Sequence, residues 1–493
     1  MQSYRILATR LYRIKHNIKM IATTTTTTTT QTQIQMQTQM QERDNKSLFP
    51  QKRFIQSPHR YLSTAIASPS KTTSKSPFKK WPISMIESQG DYQQDAAILE
   101  PIISGPLYSA QSKLPTLPIP NLKDTIDTFL PTALPLIESQ HEGRQFIEAC
   151  KAFPQQAQAL HQKLIHRKEG GLWNDSSWLQ LWWNTDGYLK IRDPVTVNVS
   201  YFFHFADDPT IVAHHDPESE APSGSDFESP SESPPTPTPT PITTQAHMGI
   251  KRGAAMLHAS AEFRKLICSG SFHHQRIGRK EPKTPLCSAA FKYMFNACRI
   301  PRREMDSYRI YDPSLHSHCI VARKGRYFAV DFVDLNGDPV SLDLLEERLQ
   351  QCIDLADGNG NGNGNGNGNG NSSDGEIPML GWLTSSDRDS WADAREEILR
   401  VGGTDAKQAL EKLESGALML CLDDDEPFSK KQCADVFWTG NHSSGHNRWF
   451  DKSIQLFCTK NGKAGLQGEH SMVSVLCLYC DCIFVFIVMC RYV

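Results

Sequence analysis

Residues 318–353, HCIVARKGRYFAVDFVDLNGDPVSLDLLEERLQQCI, decide the fold class of this chain. Apolar and polar residues alternate over 318–323 and again over 326–333, which predicts two strands joined by a Lys-Gly turn. The helix predicted at 342–353 carries four leucines along one face. The passage thus combines a β-hairpin with an amphipathic helix, as α/β domains do.

The same patterns extend to both sides of this stretch. Helices are predicted at 122–130, 141–168 and 249–267, and between Pro285 and Pro301. Strands are predicted over the alternating valines 195–199, at the start of 380–399 before a helix capped by Ser385 or Ser386, and at 453–459. A second strand after 453–459 is expected to end at His470.

Low-complexity tracts interrupt the pattern. Residues 214–247 are rich in Pro, Ser, Thr and Glu, and residues 356–375 contain a Gly-Asn repeat, so we interpret both as insertions in surface loops. The repeat lacks the spacing of a dinucleotide-binding loop. We predict a presequence and disordered low-complexity region over 1–90, one α/β domain over 91–473, and an aberrant hydrophobic tail over 474–493.

Charge is distributed unevenly along the chain. Residues 1–41 contain five basic side chains and no acid, with apolar residues at helical spacing, which is typical of a mitochondrial presequence. A disordered basic tail is the alternative interpretation. Residues 1–86 contain 14 Lys and Arg and two acids, so the rest of the chain has a formal net charge of −14. An acidic body argues against a nucleic-acid partner.

Cysteine and histidine usage gives little indication of a metal or disulfide site. Four of the thirteen cysteines lie in the last 17 residues and the nine others show no regular spacing, which favours a reducing compartment with free thiols. His316 and His318 would face the same side of a strand, but no Cys, Asp or Glu lies at a useful spacing. We therefore expect no bound metal.

Two segments near the end carry the chemistry. NHSSGHNRWFDK (441–452) and QGEHSM (467–472) resemble the approach to the active site of the choline/carnitine O-acyltransferase family. We interpret the chain as a whole as most like a mitochondrial, acetyl-transferring member of that family. The Trp pair and Tyr-Leu within 177–203 and the Leu-Thr-Ser, Arg and Trp pattern within 380–399 match the same family. The resemblance runs from about residue 114 to residue 473.

The resemblance implies a fold. It predicts an α/β domain similar to chloramphenicol acetyltransferase, with a mixed sheet flanked by helices. That domain would form the N-terminal half of a two-domain acyltransferase, accompanied here by a disordered N-terminus and low-complexity insertions.

Acyl transfer from a thioester to an alcohol needs a base for the hydroxyl and donors for the oxyanion. The resemblance implies that His470 is that base. It also implies that Trp183 and Tyr188 line the acceptor tunnel, although packing in the core is the alternative for such aromatic residues. Arg448 is expected to support the site, because its counterpart in the family pairs with an acid a few residues past the histidine. The corresponding position here is Ser474.

The implied reaction moves an acetyl group between CoA and the hydroxyl of carnitine. Acetyl-CoA would be a substrate, and no cofactor would be permanently bound. A medium- or long-chain carnitine acyltransferase, a choline acetyltransferase and a catalytically inactive fragment are the alternatives. We expect a monomer in the mitochondrial matrix or at the inner membrane, with membrane association allowed but not required, and a peroxisomal form is left open.

The resemblance stops after Val473. Family members continue into a region with the oxyanion motif, the lysines that contact CoA and the carnitine-carboxylate site. The tail here is mostly apolar, although Asp481 lies inside it, so we interpret it as translated intron or as a short membrane anchor. The chain as written is expected to be inactive for this reason.

Overall fold

The computed structural model describes residues 83–91, 104–169, 177–207, 245–278, 283–358 and 379–472, together with Phe78, Trp81 and Asp95. The predicted presequence, most of both insertions and the tail beyond residue 472 lie outside these ranges.

The described chain contains both strands and helices. The strands are β1 (Met85–Ser88), β2 (Tyr201–His204), β3 (Arg276–Ile277), β4 (Thr284–Pro285), β5 (Ala297–Ile300), β6 (Ser307–Tyr311), β7 (His318–Arg323), β8 (Arg326–Asp331), β9 (Met419–Asp423), β10 (Ile454–Thr459) and β11 (Ala464–Gly468). The helices are α1 (Leu122–Ala133), α2 (Gln140–Gln156), α3 (Gln158–Glu169), α4 (Gln180–Asn184), α5 (Val195–Asn198), α6 (Gln245–Cys268), α7 (Leu342–Asp357), α8 (Leu380–Leu383), α9 (Arg388–Ser415), α10 (Lys430–Thr439) and α11 (Asn441–Ser444).

A mixed six-stranded sheet forms the centre, in the order β2-β11-β10-β9-β7-β8. Strand β9 runs parallel to both of its neighbours, whereas the outer pairs are antiparallel. Every residue of β9 is buried. A central parallel strand is covered on both faces, which explains why its sequence, MLCLD, is apolar along almost its whole length.

Helices cover both faces of this sheet. Leu420 and Leu422 of β9 join a core cluster with α6 and α7, whereas Met419 and Cys421 join a second cluster with α9 and α10. Successive strand residues point to opposite faces, so one short strand contributes to both cores. The expected α/β architecture with a mixed sheet flanked by helices is therefore confirmed.

A smaller sheet, β1-β6-β5, packs beside the first. Its strand β1 begins at Met85, inside the range predicted to be low in complexity, and pairs with β6. An isolated bridge between Cys298 and Lys452 connects β5 to the segment before β10. This connection brings Arg299 of β5 toward the end of the larger sheet.

Several predicted elements are confirmed. Strands β7 and β8 and helices α1, α6 and α7 lie where the sequence pattern places them. The helix predicted at 141–168 is present as two helices, α2 and α3, which are separated at Ala157. Among the described residues, none of the helices combines the length and hydropathy needed to cross a membrane.

Three local predictions are wrong. The valines at 195–199 form the short helix α5, and the strand begins only at Tyr201, where pairing with β11 becomes available. The alternation there reflects packing, because Val195 and Val199 are buried against Phe450. Intrinsic strand preference is weak when tertiary contacts compete with it.

The predicted helix between Pro285 and Pro301 is a five-residue 3-10 turn, Ala289–Tyr293, followed by strand β5. Asn296, immediately before β5, has a positive φ of 55°, and its side-chain amide donates to the carbonyl of Ser415. Asparagine tolerates this conformation better than most residues.

The strand predicted at the start of 380–399 is the helix α8, and the cap of α9 is Asp387 rather than Ser385 or Ser386. The Asp387 side chain accepts a hydrogen bond from the amide of Ser390. Gly381 in α8 packs against the backbone of the segment before β10, where a Cβ would lie 2.4 Å from the carbonyl oxygen of His446. That close approach explains why a glycine occupies this position.

Candidate active site

His470 lies at the end of the β10–β11 hairpin. Strand β11 pairs with β2 so that Gly468 is opposite Tyr201, and His470 follows two residues later. The Tyr201 ring meets the imidazole in an edge-to-face arrangement, with 4.9 Å between the ring centroids. Sheet register therefore sets the position of the half-buried histidine.

Tyr188 approaches the same imidazole from another part of the chain. It belongs to a π-helical turn, Thr185–Leu189, a rare element that is frequent at functional sites. Its hydroxyl oxygen lies 3.2 Å from Nδ1 of His470. Trp183 packs against Tyr188 with 5.8 Å between centroids and remains 55% exposed. Three of the four residues singled out from sequence thus form one continuous row.

Arg448 does not join this row. Its guanidinium is fully buried and donates two hydrogen bonds to the Asp423 carboxylate, at 2.9 and 2.8 Å. It also lies 4.4 Å from the centroid of the Phe457 ring. In the part of the chain that the structure describes, the partner of Arg448 is therefore an acid at the end of β9. Position 474 lies outside the described residues.

Burial sets the protonation of the site. It lowers the pKa of His470 below the ordinary value of 6.5, and the neighbouring Glu469 carboxylate partly opposes that shift. Burial and Glu469 both raise the pKa of Tyr188. A neutral imidazole therefore faces a protonated phenol near neutral pH. When Nδ1–H donates to the phenol oxygen, Nε2 is left as a proton acceptor.

Two buried charged residues beneath the site, Arg299 and Glu469, were not predicted from the sequence. Glu469 accepts from Nη1 of Arg299 at 3.0 Å and from the hydroxyl of Ser471 at 2.5 Å. The same guanidinium donates from Nη2 to the backbone carbonyl of Tyr188 at 2.9 Å. The available signal was an arginine inside the apolar run Ala297–Ile300, since a charge in such a run must be paired.

The ionic network continues through Asp306. Its carboxylate accepts from Nε of Arg299 and Nε of Arg388, both at 2.7 Å, and from Nη2 of Arg192 at 2.9 Å. Burial would raise the pKa of Asp306, but Arg388 and Arg299 lower it below its ordinary value. Nη2 of Arg388 lies 2.8 Å from Oδ1 of Asp451, close enough for an ion pair but without hydrogen-bond geometry. Three carboxylates and three guanidiniums thus share this buried region.

The two histidines considered as metal ligands have a structural setting. Nε2 of His318 is 2.8 Å from the carbonyl oxygen of Lys412, and the rings of His316 and His318 are 6.3 Å apart. Burial lowers the pKa of His318 well below its ordinary value. Across the described ranges, no group of three or more His, Cys, Asp or Glu side chains is arranged to bind a metal ion.

The chain is similar in sequence to known proteins over most of its length. The family model described as Choline/Carnitine o-acyltransferase matches residues 117–479. Human mitochondrial carnitine O-palmitoyltransferase 2 is 27% identical over 404 residues, which is 79% of this chain and 53% of the relative. Mitochondrial carnitine O-acetyltransferase of Saccharomyces cerevisiae is 25% identical over 379 residues, which is 75% of this chain and 48% of the relative.

The liver isoform of human carnitine O-palmitoyltransferase 1 is 27% identical over 370 residues, which is 74% of this chain and 40% of that protein. The chain thus spans about half the length of the curated relatives it matches. The family match covers most of the chain and includes every residue of the row around His470. The chain therefore belongs to the choline/carnitine O-acyltransferase family.

Proposed function

We propose that this protein takes part in acyl transfer between CoA and the hydroxyl of carnitine, with His470 as the general base. The observation that supports the proposal is the imidazole itself. It is half-buried, bonded through Nδ1 to Tyr188, and placed at the end of a strand within the region that matches the family. Relatives with similar sequences are named carnitine acyltransferases.

The proposed reaction needs one proton acceptor and no enzyme nucleophile. Nε2 of His470 takes the hydroxyl proton of carnitine as the oxygen attacks the thioester carbonyl. The tetrahedral intermediate collapses, the C–S bond breaks, and the departing CoA sulfur receives the proton from the imidazolium. Trp183 and Tyr188 would form an aromatic wall beside the acceptor alcohol. CoA and carnitine are substrates here, and we propose no permanently bound cofactor.

We propose an acetyl group as the preferred acyl group and the mitochondrion as the location. The relatives include both palmitoyl- and acetyl-transferring enzymes, and both kinds are named mitochondrial. A medium- or long-chain preference is the alternative. Measuring kcat/KM with acetyl-, octanoyl- and palmitoyl-CoA distinguishes the two, since a highest value with palmitoyl-CoA would contradict the acetyl assignment.

The main test uses the protein translated from the native transcript. CoA release from acetyl-CoA is measured in the presence of carnitine for the wild type and for His470→Ala. Loss of a general base is expected to lower kcat by roughly 10²–10⁴-fold. His141→Ala, an exposed histidine on α2, is the matched control and should leave kcat unchanged. An equal rate in His470→Ala and the wild type, or no turnover by the wild type, would overturn the proposal.

The lowered pKa of His470 gives the reaction a pH dependence. Only the neutral imidazole accepts a proton, and burial disfavours its charged form. Activity should therefore persist as the pH falls past 6.5 and decline only near the lower pKa of the folded protein. The acid limb of kcat/KM against pH measures this value. An acid limb above pH 6.5 would contradict the assignment.

A further inference from the structure

We propose that Arg299 is a positioning residue whose single guanidinium holds both partners of the hydrogen bond between Tyr188 and His470. The inference rests on the proposed role of His470 and adds the group that would keep the base aligned. Arg299 touches no reacting atom, so its effect would act through the two residues above it.

The contacts of Arg299 reach both sides of the site. Nη2 donates to the carbonyl of Tyr188 at 2.9 Å, which fixes the backbone of the π-helical turn. Nη1 donates to Glu469 at 3.0 Å, and Glu469 is the residue immediately before His470. Tyr188 and His470 are 282 residues apart in sequence. One side chain therefore holds together two segments that no local structure connects.

The loop around His470 is tied to the same carboxylate. Oε2 of Glu469 accepts from the hydroxyl of Ser471 at 2.5 Å and from its backbone amide at 3.2 Å. The backbone amide of Glu469 donates to the carbonyl of Ser453 at 3.2 Å. His470 is thus flanked by anchored residues on both sides. A displacement of the Glu469 carboxylate would move the imidazole with it.

Arg299 is itself held in place by a buried carboxylate. Its Nε donates to Asp306 at 2.7 Å, and Asp306 is held in turn by Arg388 and Arg192. All of the Arg299 side chain is buried. A planar guanidinium presents five donors in a rigid arrangement and can serve three acceptors at once. A lysine ammonium at the same position would keep the charge but could not reproduce this geometry.

The test measures proton binding by His470 rather than turnover. Histidines are labelled with ¹³C, and the His470 signal is assigned by its loss in His470→Gln. Tyr188→Phe removes the hydroxyl bonded to Nδ1 and is expected to shift the titration midpoint of His470. In an Arg299→Lys background the same substitution should cause little or no further shift, because the hydrogen bond is no longer held.

Arg395→Lys is the matched control background. Arg395 is also buried and pairs with a buried acid, Glu414, but it does not contact the site. The shift caused by Tyr188→Phe should remain in full there. If Arg299 had only a structural role, Arg299→Lys and Arg395→Lys would change the shift caused by Tyr188→Phe to the same extent. Equal shifts in the two backgrounds would therefore overturn the inference.

Glu469→Gln provides a second variant that preserves side-chain size. Circular dichroism first establishes whether each variant is folded. If Arg299→Lys is not folded, the Glu469→Gln background is used to test the inference. Glu469→Gln weakens the contact between Arg299 and residue 469, so the shift caused by Tyr188→Phe should be smaller in this background than in the wild type. An undiminished shift would also contradict the inference. Failure of His470→Ala to reduce turnover would instead remove the proposed function and leave this coupling intact.

Discussion

At the scale of single residues, the pairing of buried charges is what the sequence interpretation does not predict. The family counterpart of Arg448 pairs with an acid after the histidine, where this chain has Ser474, and Arg448 here pairs with Asp423. Both side chains are fully buried, so each depends on the other for compensation. The neighbouring Asp424 pairs with Arg323 but is 53% exposed. The two adjacent aspartates are therefore expected to differ greatly in their contribution to the free energy of unfolding.

Asp423→Asn tests this difference. The substitution leaves a buried guanidinium without its countercharge and is expected to lower the free energy of unfolding by about 3–5 kcal/mol. Asp424→Asn removes an exposed partner and should cost less than about 1 kcal/mol. Urea denaturation of both variants measures the two values. Similar losses for the two variants would show that Arg448 draws its stability from elsewhere.

At the scale of elements, the pairing of β2 with β11 carries Tyr201 to the imidazole. Gly465 lies in β11 opposite His204, and a Cβ there would come 2.6 Å from the carbonyl oxygen of Phe203 and 2.8 Å from the Phe437 ring. A strand rarely contains glycine without such a reason. This edge of the sheet thus depends on the absence of one side chain.

Gly465→Ala should force β2 and β11 apart. Crowding of this kind typically costs about 1–3 kcal/mol, so thermal unfolding should show a lower midpoint. Gly143→Ala in α2 is the control, because its Cβ would meet only Leu134 at an ordinary 3.7 Å. The control should be neutral or slightly stabilising, since alanine favours helices. An unchanged midpoint in Gly465→Ala would mean that the sheet edge can adjust freely.

At the scale of the whole molecule, the network around Asp306 joins parts that local structure does not. It connects Arg299 of the smaller sheet, Arg388 at the start of α9, Arg192 after the π-helical turn, and the loop of Glu469. With Asp451, which lies beside Arg388, the network contains three carboxylates and three guanidiniums. Removal of one carboxylate would leave an excess of buried positive charge.

Asp306→Asn should therefore destabilise the whole domain. The expected loss is about 3–5 kcal/mol in the free energy of unfolding, because two of its guanidinium partners are fully buried. Asp338→Asn is the control: it removes a pair with Lys265 in which Asp338 is 51% exposed, and should cost less than about 1 kcal/mol. Chemical denaturation measures both variants, and a loss below 1 kcal/mol for Asp306→Asn would contradict the assignment.

Sequence reasoning identified elements well where the pattern is local and strong. The hairpin β7–β8 and helix α7 follow from alternation and helical spacing within a few residues. It was wrong at 195–199, where packing of Val195 and Val199 against Phe450 overrides the alternation. It was also wrong at 285–301, where a 3-10 turn and β5 replace a helix, and at the start of 380–399, where α8 replaces a strand. Trp183, Tyr188 and His470 are predicted from the motif resemblance, and in the structure they lie in contact.

The sequence by itself determined the α/β class, the main helices and strands, and the choice of His470, although β11 ends at Gly468 rather than at the histidine. Only the tertiary structure decided which buried charges meet. Arg299 and Glu469 are 170 residues apart, and Arg448 pairs with Asp423 across two elements. A periodic pattern records which side a residue faces, because burial follows the geometry of one helix or strand. It does not record which distant partner compensates a buried charge, because that depends on how the elements pack together.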